Sequence, residues 1–450
     1  MAEKKIFKMI IQVFIVFLAG IACSGSLYAE EYTLDDLYRI ALERSEIIKI
    51  SEEDYYIAER GKEKALSVLF PTISAFGDYT KYSEEKVSSL GILQPDYSTS
   101  WGLRLDQSMS LSGRELTALR MSKKLIEKSR YDLYAVRESY LFSVASAYYD
   151  VLKAKNALEI AKANVERLKK HRDASAIRLK VGEVTKTHLL RAEAELSGAQ
   201  TELVRAENNL KMAKTVLTRI VGLTEDYDIK KSDIKIDLVE EYDLYSLKEN
   251  AFSERAELKS GDLQKKIAED EVKYTKGASW PTLSIEGVYL KRDEDPVSPF
   301  FLEESIYGGI EISFPLFEGG LRKAEFKEAK AKQRQTEFSY DDLKKTINVE
   351  VENAYFEFQT QKEVLKSLEK EVAFATDNYN FISKQYEFGL ASSIDVIDAN
   401  TLLLTSEEQL AEARYNYDLS ILRLKRVTGT LLKTVMGQGS GVENQKQQQE

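Results

Sequence analysis

GLASSIDVIDANTLLLTSEEQLAEARYNYDLSILRLKRVTG, Gly389–Gly429, keeps a seven-residue register of Val396, Leu403, Leu410, Tyr417 and Leu424, with small residues at Ala399, Ser406, Ala413 and Ser420. GEVTKTHLLRAEAELSGAQTELVRAENNLKMAKTVLTRIVG, Gly182–Gly222, repeats it with Leu189, Leu196, Leu203, Leu210 and Leu217 beside Ala192, Ala199, Ala206 and Ala213. Gly182 falls on Gly389 (389 − 182 = 207), and the same shift carries Gly113 to Gly320 and Gly222 to Gly429. A heptad of alternating large and small residues packs knobs into holes with close helix approach. A chain that carries it twice is a duplicated unit. An ordinary antiparallel coiled coil fits these stretches equally well, and the question is what they enclose.

Upstream of each glycine, from Gly113 to Gly182 and from Gly320 to Gly389, the chain runs about 65 residues without a breaker, roughly 100 Å of helix. All six prolines fall in two windows, Pro71 with Pro95 and Pro281 with Pro296, Pro299 and Pro315, and Trp101 and Trp280 lie there too. Helix interiors reject proline while strand starts and loops accept it, so the chain divides into helical and strand territory. Within the windows Trp101, Leu103 and Leu105 alternate with Gly102, Arg104 and Asp106, and Ile310, Ile312 and Phe314 with Gly309, Glu311 and Ser313. Ile73, Ala75 and Tyr79 oppose Thr72, Ser74 and Asp78, and Leu283, Ile285 and Tyr289 oppose Ser284 and Glu286; Phe76 breaks the polar side. Each window is therefore a hairpin whose strands could cross a bilayer, with polar loops at about 80–98 and 292–305. A soluble sheet shows the same alternation, but nothing else in the chain is available to cover an apolar face.

Lys4, Lys5 and Lys8 precede the apolar run Met9–Ile21 and a small-residue stretch ending in Leu27-Tyr28-Ala29, the build of a secretory signal peptide over 1–29. Its loss removes a net +2 (three lysines against Glu3) from −10 and leaves −12, which argues against nucleic acid as a partner. Cys23 is the sole cysteine, so no intrachain disulfide forms. It either leaves with the leader or carries a lipid; Gly20-Ile21-Ala22-Cys23 lacks the leucine of a lipobox, which favours the first. Only His171 and His188 are available, without metal-ligand spacing, phosphate loop or nucleophile motif, so no enzyme, metal or cofactor is expected. Each histidine reads as a surface or packing residue of a coiled coil.

Over nearly its whole mature length the chain resembles TolC-type outer-membrane efflux proteins, the exit ducts of tripartite efflux or type I secretion systems. The likeness rests on YTLDDLYRIALERS (Tyr32–Ser45), FPLFEGG (Phe314–Gly320), QYEFGLASSIDVIDANTLLLTSEEQLAEARYNYDLSILRLKRVTG (Gln385–Gly429) and the weaker RLKVGEVTKTHLLRAEAEL (Arg178–Leu196). The resemblance implies a mainly α protein with a membrane β-barrel. It would be a homotrimer with a 12-stranded barrel in outer-membrane lipid and a 12-helix coiled-coil α-barrel in the periplasm of a Gram-negative-type cell. Strand arithmetic agrees: four strands cannot close in lipid, eight enclose only their own side chains, and twelve leave an aqueous lumen. A soluble periplasmic coiled-coil adaptor or scaffold is the alternative; it would share the helices but not two apolar-faced hairpins.

The resemblance also implies sites. Val181, Gly182, Glu183 and Val184, with Gly389, Leu390 and Ala391, form tips where a periplasmic adaptor (membrane fusion protein) docks, coupled to an inner-membrane RND or ABC transporter. Asp395 and Asp398, one turn apart, line the periplasmic aperture, and crowding of three copies would raise their pKa values. His188 and Tyr386 are gate-contact positions. His188 and Ala391 stand where some relatives carry charged residues, so the ties that shut the entrance should differ. The expected organisation is a first repeat over 30–222 (strand hairpin about 69–112, helical hairpin about 114–221) and a linker over 223–240. A second repeat over 241–430 (about 279–317 and 319–428) and a polar, disordered tail over 431–450 follow.

Overall fold

The computed structural model describes residues 30–89, 91–223, 227–230, 242–299 and 301–437. The expected leader with Cys23, residues 224–226 and 231–240 of the linker and residues 438–450 of the tail lie outside them. In chain order the elements are β1 (Glu30–Tyr32), α1 (Leu34–Arg44), α2 (Glu46–Ser67), β2 (Thr72–Lys81), β3 (Lys86–Ser88), β4 (Gly91–Gln94), β5 (Tyr97–Ser110) and α3 (Arg114–Lys180). They continue with α4 (Lys186–Val221), β6 (Tyr227–Ile229), α5 (Leu244–Glu254), α6 (Ala256–Gly277), β7 (Thr282–Asp295), β8 (Glu304–Ser313), α7 (Leu321–Glu387) and α8 (Ser393–Val427). The duplication shows in the lengths: α3 and α7 both have 67 residues, α4 has 36 and α8 has 35.

The chain forms two compact units. The strand unit takes in the described parts of 46–142, 239–359 and 422–450. Its antiparallel sheet has the order β2-β5-β7-β8, so each copy supplies one hairpin and β5 pairs with β7 across the copies. Leu103 lies opposite Ala75 and Tyr289, and Ile285 opposite Ile310, which gathers the apolar residues of all four strands on one face. The other face carries Asp78, Arg104, Asp106, Glu286 and Glu311, with Arg104 Nε and Glu286 Oε1 paired at 3.3 Å. Phe76 sits on that polar face opposite Gly102, where a Cβ would run first into the Tyr289 backbone carbonyl and then into the Phe76 ring at 2.9 Å; the missing side chain makes room for both.

The sequence reading left three features of this unit unassigned or wrong. The segment at about 80–98 contains a small hairpin, β3 with β4, and is not only a loop. Helices α2 and α6 precede the two strand hairpins at a shift of 210 (256 − 46). The tail does not begin at 431: residues 431–437 are helical, and Leu431 and Leu432 are buried, because two leucines behind Gly429 have apolar surface to hide.

The tip unit takes in the described parts of 1–45, 143–238 and 360–421. Its N-terminal helix α1 opens on a reciprocal capping box, with Thr33 and Asp36 each bonding the other's backbone N–H. Strand β1 pairs in parallel with β6, which falls inside the segment expected to be a linker. At the heptad positions, Ala192, Leu196, Ala199 and Leu217 on α4, and Val396, Ala399, Leu403, Ser406, Ala413 and Ser420 on α8, are buried, while Leu189, Leu203, Ala206, Leu210 and Ala213 on α4 and Leu410 and Tyr417 on α8 are half-buried.

Candidate functional site at the helical tips

Both tips are built by the same backbone device. At the end of α3 the N–H of Gly182 bonds Leu179 O at 3.1 Å and that of Glu183 bonds Arg178 O at 2.9 Å. At the end of α7, 207 residues on, Gly389 N–H bonds Tyr386 O at 3.0 Å and Leu390 N–H bonds Gln385 O at 2.8 Å. These are Schellman closures, which need a left-handed residue, and φ is +82° at Gly182 and +74° at Gly389. No heavy atom lies within 4 Å of where a Cβ would stand on either glycine, so the requirement is conformational and not steric.

What the closures present is apolar. Val181, Phe388 and Leu390 are 66%, 79% and 78% exposed, while Val184 and Ala391 are half-buried. Exposed large apolar side chains clustered on a turn mark a contact surface more often than a free one. Glu183 adds a charge, 4.0 Å from Arg178 Nε.

Past the second tip, Asp395 and Asp398 are both exposed on α8, on one face as their spacing demands. Asp395 accepts the Ser392 N–H, and this bond, followed by the Ser392 hydroxyl, holds its carboxyl below the usual carboxylate range. Within the single chain the direction is therefore opposite to that expected from crowding in a trimer. Among the described residues no group of three or more His, Cys, Asp or Glu could hold a metal.

Tyr386 and His188 are not brought together. Tyr386 is buried, with its hydroxyl 3.0 Å from Ser175 Oγ and its ring beneath the Arg178 guanidinium at 4.2 Å. His188 is half-buried in the first turn of α4 and is not among the partners of Tyr386. The histidine beside Tyr386 is His171, with ring centroids 5.0 Å apart.

His171 belongs to a polar seam the sequence reading missed. Along α3, Asn164 bonds Asn400 at 2.8 Å, Arg167 reaches Asn400 at 2.9 Å and Glu407 at 3.0 Å, and His171 Nε2 lies 2.8 Å from Ser393 Oγ. Ser175 holds Tyr386, and Arg178 donates to the Glu387 carbonyl at 2.8 Å. In the sequence, 164, 167, 171, 175 and 178 fall at helical three- and four-residue steps, but α3 carries charged residues at many other positions, so this stripe does not stand out. Burial, and then the nearby Arg178 charge, hold His171 below the ordinary imidazole value.

Against known proteins, the sequence profile of the family described as "Outer membrane efflux protein" matches residues 41–223 and again 247–430. Outer membrane protein TolC of Escherichia coli (strain K12) is 24% identical over 428 residues, covering 92% of this chain and 86% of that protein. Alkaline protease secretion protein AprF of Pseudomonas aeruginosa is 23% identical over 306 residues, covering 65% and 62%. The solved structure of CusC superposes with a TM-score of 0.79 at 16% identity, over 90% of this chain and 95% of that one.

Proposed function

This chain belongs to the outer membrane efflux protein family, and from that membership we propose how it works: three copies join into one duct coupled to a periplasmic adaptor and an inner-membrane pump. The protein is an outer-membrane exit duct for efflux or secretion, with its helical part in the periplasm.

One observation carries the assembly. The four-stranded sheet ends in open edges at β2 and β8, and its strands are 10 to 14 residues long. One face exposes Ile73, Ile306, Ile310 and Ile312. In lipid the edges must be paired, and β8 of one copy has β2 of the next as its natural partner. Three copies give twelve strands and a lumen; two would give a filled barrel.

The helices of the strand unit support the same reading. Helix α6 is held on both sides: Asp270 takes Lys124 and Arg120 from α3, and Gly261 packs against Tyr340 of α7. Its counterpart α2 has the α3 neighbour, through Arg137 and Glu52 at 2.7 Å, but leaves Ile47, Ile50 and Ile57 exposed. By the internal repeat the missing neighbour is α7 of a second copy, where Phe338, Val349 and Phe356 are exposed. The reciprocal shortage closes a ring.

Adaptor docking is assigned to the tips, Val181–Val184 and Gly389–Ala391, and the aperture to Asp395 and Asp398. Selection of cargo belongs to the pump, an RND or ABC transporter; the name of AprF speaks for a polypeptide in that relative. The test is the mass of the purified protein by light scattering corrected for bound detergent. A detergent-requiring trimer is expected, and a monodisperse soluble monomer would sink the duct.

A further inference from the structure

The seam between α3 and the second tip is polar where a permanent contact would be apolar. His171 is a buried titratable member, 6% exposed, bonded to Ser393 at the first turn of α8 and with its ring tilted against that of Tyr386 at the end of α7. One side chain thus joins α3 to both helices that flank the tip at Gly389.

The charges around it are one-sided. On α3 itself, Arg178 lies over the far partner of the ring, Tyr386. From α7 come the Tyr386 hydroxyl, already engaged by Ser175, and the Glu387 carbonyl, already engaged by Arg178. From α8 comes the Ser393 hydroxyl, while Asp395 is exposed and committed to Ser392, and Asp398 is exposed a turn further on. Among the described residues no carboxylate pairs with His171. A neutral imidazole fits this site, as acceptor from Ser393 or donor to it; an imidazolium there is buried, unpaired and beside a guanidinium.

We propose that His171 is an acid-sensitive latch: proton uptake by its ring releases the start of α8 and the end of α7 from α3, loosening the second tip and the aperture behind it. The direction follows from linkage. The released ring titrates near the ordinary histidine value of about 6.5 and the latched ring below it, so acid favours release. Latching is fully stable above that value and weakens as pH falls from it toward the latched value. Its effect on current rests on the duct reading; the latch itself does not.

The experiment is hydrogen exchange of residues 386–398 in the full-length detergent-solubilised protein, corrected for intrinsic exchange, between pH 7.5 and 5.5. We expect protection to fall in the wild type by up to about tenfold, the limit that a released value near 6.5 sets over this range. His171→Gln, which can still bond Ser393, should lose that dependence. Arg178→Gln, which takes away the charge that helps hold the latched ring down, should shrink the acid response, whereas loss of its bond to the Glu387 carbonyl alone would loosen the tip equally at every pH. Channel current in planar bilayers should rise over the same range in the wild type and not in His171→Gln. An acid response unchanged in His171→Gln, or none in the wild type, overturns the latch; absence of any current with the exchange pattern intact would instead overturn the duct.

Discussion

Asp395 Oδ2 accepts the backbone N–H of Ser392 at 2.7 Å, and Ser392 Oγ accepts the N–H of Asp395 at 3.3 Å. This is a reciprocal capping box at the first turn of α8, so one of the two aperture carboxylates is also the third-position partner of the Ser392 cap. Asp398, one turn on, has no such tie among the described residues. The two aspartates should therefore separate under mutation. Asp395→Ala should loosen the start of α8 and Asp398→Ala should not, read by hydrogen exchange of residues 393–400. Because the cap holds Asp395 below its usual value, its contribution is present above that value and is lost as pH falls through the lowered one. Both substitutions together should abolish block by periplasmic-side polycations and weaken cation preference in bilayers. A double variant that kept both would leave the aspartates as solvated surface.

The tip glycines should act locally. A β-branched residue at Gly182 or Gly389 meets no steric neighbour but must adopt φ near +80°, at a cost of about 1–2 kcal/mol each. Gly182→Val with Gly389→Val should leave detergent-solubilised mass unchanged while lowering crosslinking to the adaptor and export. Unchanged coupling would remove the tips from the docking surface.

What could be read from the chain followed the strength of each period. The heptads of α4 and α8 and the breaker-free runs of α3 and α7 fixed four helices to within a few residues, because 35 to 67 residues of one register leave no competing reading. Helices α1 and α2 were missed although Thr33 and Asp36 signal a cap, since 11- and 22-residue helices carry weaker patterns. The polar seam was missed for another reason. His171, Ser175 and Arg178 are individually ordinary, and only the approach of Ser393, Tyr386 and Glu387 from 209 to 222 positions away makes them a site.

Asp270 tests how the strand unit is tied. Its side chain is 2% exposed and receives Lys124 at 2.8 Å, Arg120 at 3.0 Å and Lys273 at 3.0 Å. Burial alone would raise its carboxyl, but these three donors bring it down to about 2. Asp270→Ala should destabilise by about 3 kcal/mol, the low end for breaking a buried pair, because Arg120 and Lys273 can turn to water. In the wild type this stability is present above the ordinary aspartate value and is lost as pH falls toward 2. Thermal unfolding of the two proteins between pH 2 and 6 should converge at the acid end; parallel curves would show that the cluster contributes no net electrostatic stability.

Glu138 should give the opposite pH dependence in the same unit. Its buried carboxylate accepts the Leu432 N–H at 3.2 Å and so holds the start of the 431–437 helix. Burial pushes the group up to about 7, against the pull of the Leu432 N–H; Glu257 adds to the rise, and Arg255 and the Leu431 N–H oppose it. A carboxyl whose folded value is raised lends stability that is fully present below about pH 4.5 and is lost as pH rises through about 7. The loss is on the order of 3 kcal/mol at pH 8. Glu138→Gln keeps an oxygen for Leu432 and has no charge to bury, so protection of residues 431–437 should become independent of pH between 5 and 8 and exceed that of the wild type at pH 8. If the glutamine variant were instead less protected at pH 8, the ionised carboxylate would be the better cap, and its two backbone donors with Arg255 would outweigh the cost of burying its charge.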